Sequence, residues 1–276
     1  MSTTAQLKYS LPPPDGSRPY TDVKSGMTTE KRSQNWLDDI HDVQIKDIRG
    51  KEDKYTLDTV GFQYYCHPAK HTTFLNDKEI KEEYYPESME LIKKLTGATK
   101  VVVFGHIVRR RRPVLDNEPM QYLQPASNVH VDQTTPFAIS IAYACLPARE
   151  AYTLLQGRFQ IINLWRPISH PAVDWPLALC DFRSINTERD LMPVTLLLPD
   201  REGETYCMKY DPGHQWIYKS AMDPEDLVLF KCFDSIEDGS VARMAPRTAF
   251  EDPKTPEGAP FLESIELRAL VFYEEV

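Results

Sequence analysis

Residues 158–165 read RFQIINLW. This run is too short for a typical buried helix, rich in β-branched and aromatic residues, and bounded by Gly157 and Pro167, which marks it as a strand buried on both faces. The same texture recurs outward from it. On the N-terminal side stand KVVVF (100–104) and FAISIAYAC (137–145). On the C-terminal side follow PLALCDF (176–182), PVTLLL (193–198), ETYCMKY (204–210), QWIYKS (215–220), LVLFKCF (227–233) and IELRALVFY (265–273). Proline, glycine or aspartate separates the runs, so the nine together predict a mainly β, double-layered domain, a jelly roll or sandwich. A helix is expected to interrupt them over PAREAYTLL, begun by Pro147 and ended by Gly157.

Before Lys100 the texture is different. Asn76 or Asp77 can cap one helix, and Pro86 can open another over ESMELIKKL, stopped by Gly97. The first fifty residues are polar and charged and contain Pro12-Pro13-Pro14. They predict an irregular N-terminal extension (1–50) ahead of a single domain over 51–276. A length of 276 residues suits one β domain with flanking helices.

Composition excludes several function classes. A net charge of −9, with Arg109 to Arg112 as the only basic cluster, argues against a nucleic-acid partner. The longest apolar run, Phe137 to Leu146, is about half a membrane span. Five scattered cysteines without a C-x-x-C pair read as reduced thiols, and MSTTAQLKYSLPPPDG lacks a signal-peptide core. The expectation is a cytoplasmic protein acting on a small molecule, with homodimerisation left open.

Three constellations can carry chemistry. In His130-Val131-Asp132, residues two apart on a strand share a face, so imidazole and carboxylate project together, as at the start of a 2-His-1-carboxylate iron site. With seven histidines and 41 acids in the chain, one such triplet is expected by chance, and a histidine satisfied by a neighbouring acid is the alternative. Arg268 sits inside the apolar run IELRALVFY. It serves either as a fork for a carboxylate such as that of 2-oxoglutarate, or as an ion-pair partner of Glu263 or Glu266. Trp165-Arg166-Pro167 supplies either a stacking wall and an anion-binding fork, or a core tryptophan beside a surface arginine. No dinucleotide, P-loop, nucleophile-elbow or zincin motif is present.

Across more than half the chain, NVHVDQT (128–134), GRFQIINLWRP (157–167), DWPLALCDFRS (174–184), DREGETY (200–206), KCFDSIEDG (231–239), TAFEDPKTPEGAP (248–260) and ESIELRALVFYE (263–274) occur in order. In these segments the chain resembles the AsaB hydroxylase/desaturase family of fungal secondary metabolism. That family includes gibberellin-desaturase-like proteins and lies within the Fe(II)/2-oxoglutarate oxygenases. The resemblance implies a double-stranded β-helix, with His130 and Asp132 at the first two iron-ligand positions and Arg268 at the 2-oxoglutarate arginine. It implies a third ligand in a Pro-His-Thr-Ala-Phe stretch, which here reads Pro246-Arg247-Thr248-Ala249-Phe250. A guanidinium offers no lone pair and cannot ligate iron. A second departure is Gly105-His106, where relatives tend to carry Asp-His.

The expectation is therefore an oxygenase scaffold with a disabled iron site, holding neither iron nor 2-oxoglutarate. Its activity is that of a metal-independent cyclase of Diels–Alder or hetero-Diels–Alder type. Arg247, His130 and Arg268 are the candidate catalytic groups, and Asp132, Trp165, Arg166, His106 and Phe137 the candidate substrate contacts. The alternatives are a working Fe(II)/2-oxoglutarate hydroxylase or desaturase, with His214 completing the iron site, and a metabolite-binding pseudoenzyme.

Overall fold

A computed structural model describes residues 2–23, 33–112 and 123–273. In chain order the strands are β1 (Ser2–Leu11), β2 (Tyr20–Asp22), β3 (Ser33–Gln34), β4 (Leu37–Asp47), β5 (Phe62–Cys66), β6 (Lys100–Arg110), β7 (His130–Val131) and β8 (Phe159–Pro167). They continue as β9 (Leu177–Cys180), β10 (Leu191–Leu197), β11 (Glu202–Met208), β12 (Trp216–Tyr218), β13 (Asp226–Asp234), β14 (Arg247–Ala249) and β15 (Glu263–Phe272). Two sheets form, a large one in the order β1-β4-β12-β9-β14-β7-β11-β10-β2-β3 and a small one in the order β5-β13-β8-β15-β6. This is the expected mainly β jelly roll. No helix among the described residues is long and apolar enough to cross a membrane.

Eight of the nine apolar runs are strands. The ninth, FAISIAYAC, is a helix over Thr135–Cys145. Thr134 enters in extended conformation and Pro136 fits the first turn. Burial then falls on Ala138, Ile141 and Ala142, the three- and four-residue spacing of a helix face. The expected helix after Pro147 is present over Ala148–Leu154. The two helices expected around residues 77–96 run on as one: Asn76 caps it, a π turn over Ile80–Tyr84 links its halves, and Gly97 ends it at φ +74°.

The described residues of 1–50 do not form the irregular extension the prolines suggested. β1 pairs with β4 over ten residues, and Thr3, Ala5, Leu7 and Tyr9 alternate inward. That is a strand with one buried face, and Pro12 to Pro14 stand just beyond its end.

Strand β8 is buried along its whole length because it lies between two cores. Ile161 and Trp165 face the large sheet. Ile162 and Leu164 face the helix over Tyr85–Thr96, where Leu91 and Ile92 pack. This parity decides which side chains reach the space between the sheets.

Candidate active site

His130 on β7 and Arg247 on β14 are direct neighbours in register. Opposite them, β8 and β15 pair Asn163 with Arg268 and Trp165 with Glu266. All six side chains converge on the inter-sheet space around Asp132. A cavity of about 60 Å³ is lined by His130, Asp132, Trp165, Arg247, Glu266 and Arg268, with Trp175 and Leu177 among its apolar walls. Five of these six lining side chains are charged or ionisable, so the cavity is strongly polar on this side.

The Arg247 guanidinium occupies the centre of this cluster and is only 3 % exposed. Its Nη2 lies 2.6 Å from Asp132 Oδ1 and 3.3 Å from Glu266 Oε1. Nη1 points at Cys232 Sγ, 3.7 Å away, and the group stacks over the Phe230 ring at 4.6 Å. Asn163 Nδ2 donates to both Asp132 Oδ2 (2.9 Å) and Glu266 Oε1 (3.0 Å), tying the two carboxylates together. Burial pushes the Asp132 carboxyl up, but the Arg247 charge, the contact with His130 and the Arg268 charge outweigh it, so it stays well below the ordinary range. Burial works against the charged form of Arg247 as well, and the Asp132 and Glu266 carboxylates override it and raise its pKa. Burial, reinforced by the Asp132 charge, raises the Cys232 thiol well above its usual value.

His130 Nδ1 lies 2.7 Å from the Asn128 carbonyl. Nδ1–H can donate there, and Nε2 lies on the cavity side, 3.5 Å from Asp132 Oδ1. Arg268 does not pair with Glu263 or Glu266. Glu263 is taken by Arg110, Arg112 and Ser169, and Glu266 by Arg247 and Asn163. Arg268 Nε is buried with no hydrogen-bond partner among the described residues, and the group lies over the Phe104 ring at 5.8 Å.

Four residues expected at the site lie elsewhere. His106 points to the outer face of β6, where Nδ1 meets Tyr85 Oη at 2.8 Å, while Ile107 and Arg109 on the inner face line the cavity. Arg166, one residue out of phase with Trp165, turns to the helix side. There it donates to the His67 carbonyl and lies over Tyr84, buried rather than at a pocket rim. Phe137 packs against Gly203, where an added Cβ would stand 2.8 Å from its ring. His214 is buried with Nε2 3.0 Å from Asp190 Oδ2 and stacks on Tyr9, so it supplies no third ligand beside His130.

His214→Gln is accordingly expected to cost about 1–3 kcal/mol of stability by loosening a buried hydrogen bond, with ligand and metal binding at the cavity unchanged. Denaturant titration and metal analysis check both halves. Burial raises the partner Asp190, but Arg189, His214 and the Asn186 backbone hold it at about 2. Its folded pKa lies below the unfolded value of about 3.9. Its contribution is therefore complete above about pH 4 and is lost as pH falls toward 2.

Asn163, Cys232 and Trp175 were not anticipated. An amide in the middle of IINLW was the readable signal for Asn163, since a buried amide demands partners. Cys232 and Trp175 carried no signal of their own.

The donor set decides what this corner can hold. Fe(II) in a facial triad needs three lone-pair donors, and His130 and Asp132 supply two. Among the described residues no group of three His, Cys, Asp or Glu side chains is disposed to hold a metal. The guanidinium of Arg247 already pairs with Asp132. Iron does not fit these residues, and neither does the keto-acid end of 2-oxoglutarate, which binds through the metal.

A family model described as an oxidoreductase/YMDC permease-like domain matches residues 7–272. The chain is similar to the hydroxylase/desaturase efuI of Hormonema carpetanum, 33 % identical over 84 % of either chain. It is also similar to the alpha-ketoglutarate-dependent dioxygenase phiK of a fungal species (strain ATCC 74256), 33 % identical over 98 % of this chain and 95 % of phiK. Among solved structures it is similar to the iron and alpha-ketoglutarate-dependent endoperoxidase NvfI, with a TM-score of 0.85, 28 % identity and 99 % of each chain covered.

Proposed function

This chain belongs to the fungal hydroxylase/desaturase family of efuI and asaB, and from that premise we propose that it is a metal-independent enzyme of secondary metabolism that cyclises a reactive metabolite, by a Diels–Alder or hetero-Diels–Alder reaction. The observation that carries this reading is the 2.6 Å contact between Arg247 Nη2 and Asp132 Oδ1. A fixed guanidinium there supplies positive charge without redox chemistry. It also closes the carboxylate edge that a metal would need.

Cyclisations of this kind gain most from holding two reacting ends together. The aromatic wall of Trp165 and Trp175 orients the body of the substrate. Arg268, whose Nε has no hydrogen-bond partner among the described residues, is the donor available to polarise a carbonyl. His130 Nε2 can accept a proton from an enol or phenol that must ionise before ring closure. Asp132 is the fixed charge that steadies the resulting imidazolium.

The names of the relatives favour a second reading, a Fe(II)/2-oxoglutarate-dependent hydroxylase or desaturase; a metabolite-binding pseudoenzyme is the third. Turnover of a polyene or quinone-methide precursor in the presence of EDTA, with no oxygen uptake, is the expected result. Stoichiometric iron together with 2-oxoglutarate-dependent oxygen uptake would overturn it.

A further inference from the structure

Two carboxylates line the cavity, Asp132 and Glu266, and their oxygens are engaged unequally. Both oxygens of Asp132 are taken, Oδ1 by Arg247 Nη2 at 2.6 Å and Oδ2 by Asn163 Nδ2 at 2.9 Å. On Glu266 the same two donors converge on one atom. Oε1 accepts from Asn163 Nδ2 at 3.0 Å and from Arg247 Nη2 at 3.3 Å, whereas Oε2 has no hydrogen-bond partner among the described residues. Glu266 is not sealed in, for it keeps 9 % of its surface exposed and forms part of the cavity wall. A carboxylate oxygen only accepts. Largely withdrawn from water, it gains more from a donor brought to it than a neutral acceptor does, and leaving it unmatched is costly.

Neighbouring residues fix where this oxygen stands. Ile265 and Leu267 pack into the core on the helix side of β15, so strand parity turns Glu266 toward the space between the sheets. Asn163 and Arg247 grip Oε1 together and keep the carboxylate from swinging away. Trp165 is the register partner of Glu266 on β8, and such pairs have Cβ atoms about 5 Å apart. Oε2 therefore belongs to the edge of the Trp165 wall.

We propose that Glu266 Oε2 is the acceptor for a hydroxyl of the substrate, and that the substrate class is a conjugated or aromatic metabolite carrying that hydroxyl directly on its ring, a phenol or a cyclic enol. Glu266 selects and orients the substrate from the small sheet, opposite His130 on the large one. This names the substrate class of the metal-free cyclising site above and rests on that reading. Direct attachment follows from the spacing. A ring laid on Trp165 brings its own edge to Oε2, and a hydroxyl on a long flexible arm overshoots it. The cavity of about 60 Å³ takes the hydroxylated edge, with Trp175, Leu177 and Leu262 as apolar surface for the rest.

The test is a ligand-observed NMR titration of the full chain with phenol and with its methyl ether anisole, in EDTA and again with Fe(II) added under anaerobic conditions. The two probes share a ring and differ in the donated proton. In EDTA phenol is expected to bind at least about tenfold tighter, because a site built to pair a hydroxyl rejects the analogue that lacks it. Glu266→Gln should bring the two probes within about threefold of each other, since the amide holds Arg247 and Asn163 with its oxygen and turns its NH2 to the cavity. Glu266→Asp keeps the charge beside Arg247, so it preserves the fold if the amide variant does not, and it withdraws the oxygen by one methylene and weakens the preference too. Equal binding of phenol and anisole by the parent in both conditions, or a preference in EDTA that survives both substitutions, overturns the role of Glu266 and leaves the metal-free reading standing. A preference that appears only with Fe(II) and survives Glu266→Gln marks a phenolate on the metal and overturns both.

Discussion

Arg247→His is expected to give this corner a divalent-ion site with one-to-one stoichiometry. The substitution makes two changes together. It removes the guanidinium whose Nη2 covers Asp132 Oδ1, and it places an imidazole on the strand position directly beside His130. Two histidines and a carboxylate are the donor set that iron prefers. Before metal is added, the variant should be less stable than the parent, because Asp132 and Glu266 lose their shared cation. Added Co(II), a spectroscopic stand-in for Fe(II), should then restore stability by mass action, about 2.7 kcal/mol at a hundredfold excess over the dissociation constant. The parent should show no such shift. Calorimetric titration with Co(II) and melting curves with and without EDTA read both effects. A parent chain that already binds Co(II) stoichiometrically would refute the account of this corner.

The strands could be read from sequence because each is bounded by proline, glycine or aspartate and built from β-branched and aromatic residues. Where a run met those criteria and still folded as a helix, at Thr135–Cys145, alanines and a first-turn proline outweighed the apolar content. The N-terminal fifty residues misled in the other direction. The alternation Thr3, Ala5, Leu7, Tyr9 was present, but the three prolines after it dominated the reading.

At the site, His130 with Asp132 was legible because the two-residue spacing fixes a shared face. Trp165 against Arg166 was not. Both faces of RFQIINLW are apolar, so the sequence carries no sign of which parity looks into the cavity. Only the packing of Ile162 and Leu164 against the helix reveals it. The same limit misplaced His106. The pairing of Arg247 with Glu266 needed the register of four strands from two sheets, which no local pattern encodes. The Arg268 Nε left without a hydrogen-bond partner among the described residues likewise came only with the three-dimensional arrangement.

The second large effect concerns stability rather than metal. Arg247→Met roughly keeps the volume of the side chain and strips the charge, leaving Asp132 and Glu266 beside each other with His130, Asn163, Cys232 and the more distant charge of Arg268 to support them. Breaking a buried pair in this way costs about 3 kcal/mol or more at neutral pH. The loss should depend on pH with a definite sign. In the parent, the folded pKa of Asp132 lies well below its ordinary value. Its stabilisation is thus complete above the unfolded pKa of about 3.9 and disappears only in strong acid. In the variant, burial of Asp132 loses its largest opposing charge, and its carboxyl takes up a proton at a higher pH in the folded state. That contribution favours folding below the unfolded pKa and is lost as pH rises. The gap between parent and variant should therefore be widest at neutral pH and narrow steadily toward about pH 4. Urea denaturation at neutral and mildly acidic pH measures it. A pH-independent difference under about 1 kcal/mol would mean that Arg247 is solvated like a surface ion pair. Adding Asp132→Asn to Arg247→Met should recover much of the loss, because removing both members of a buried pair spares the fold an uncompensated charge.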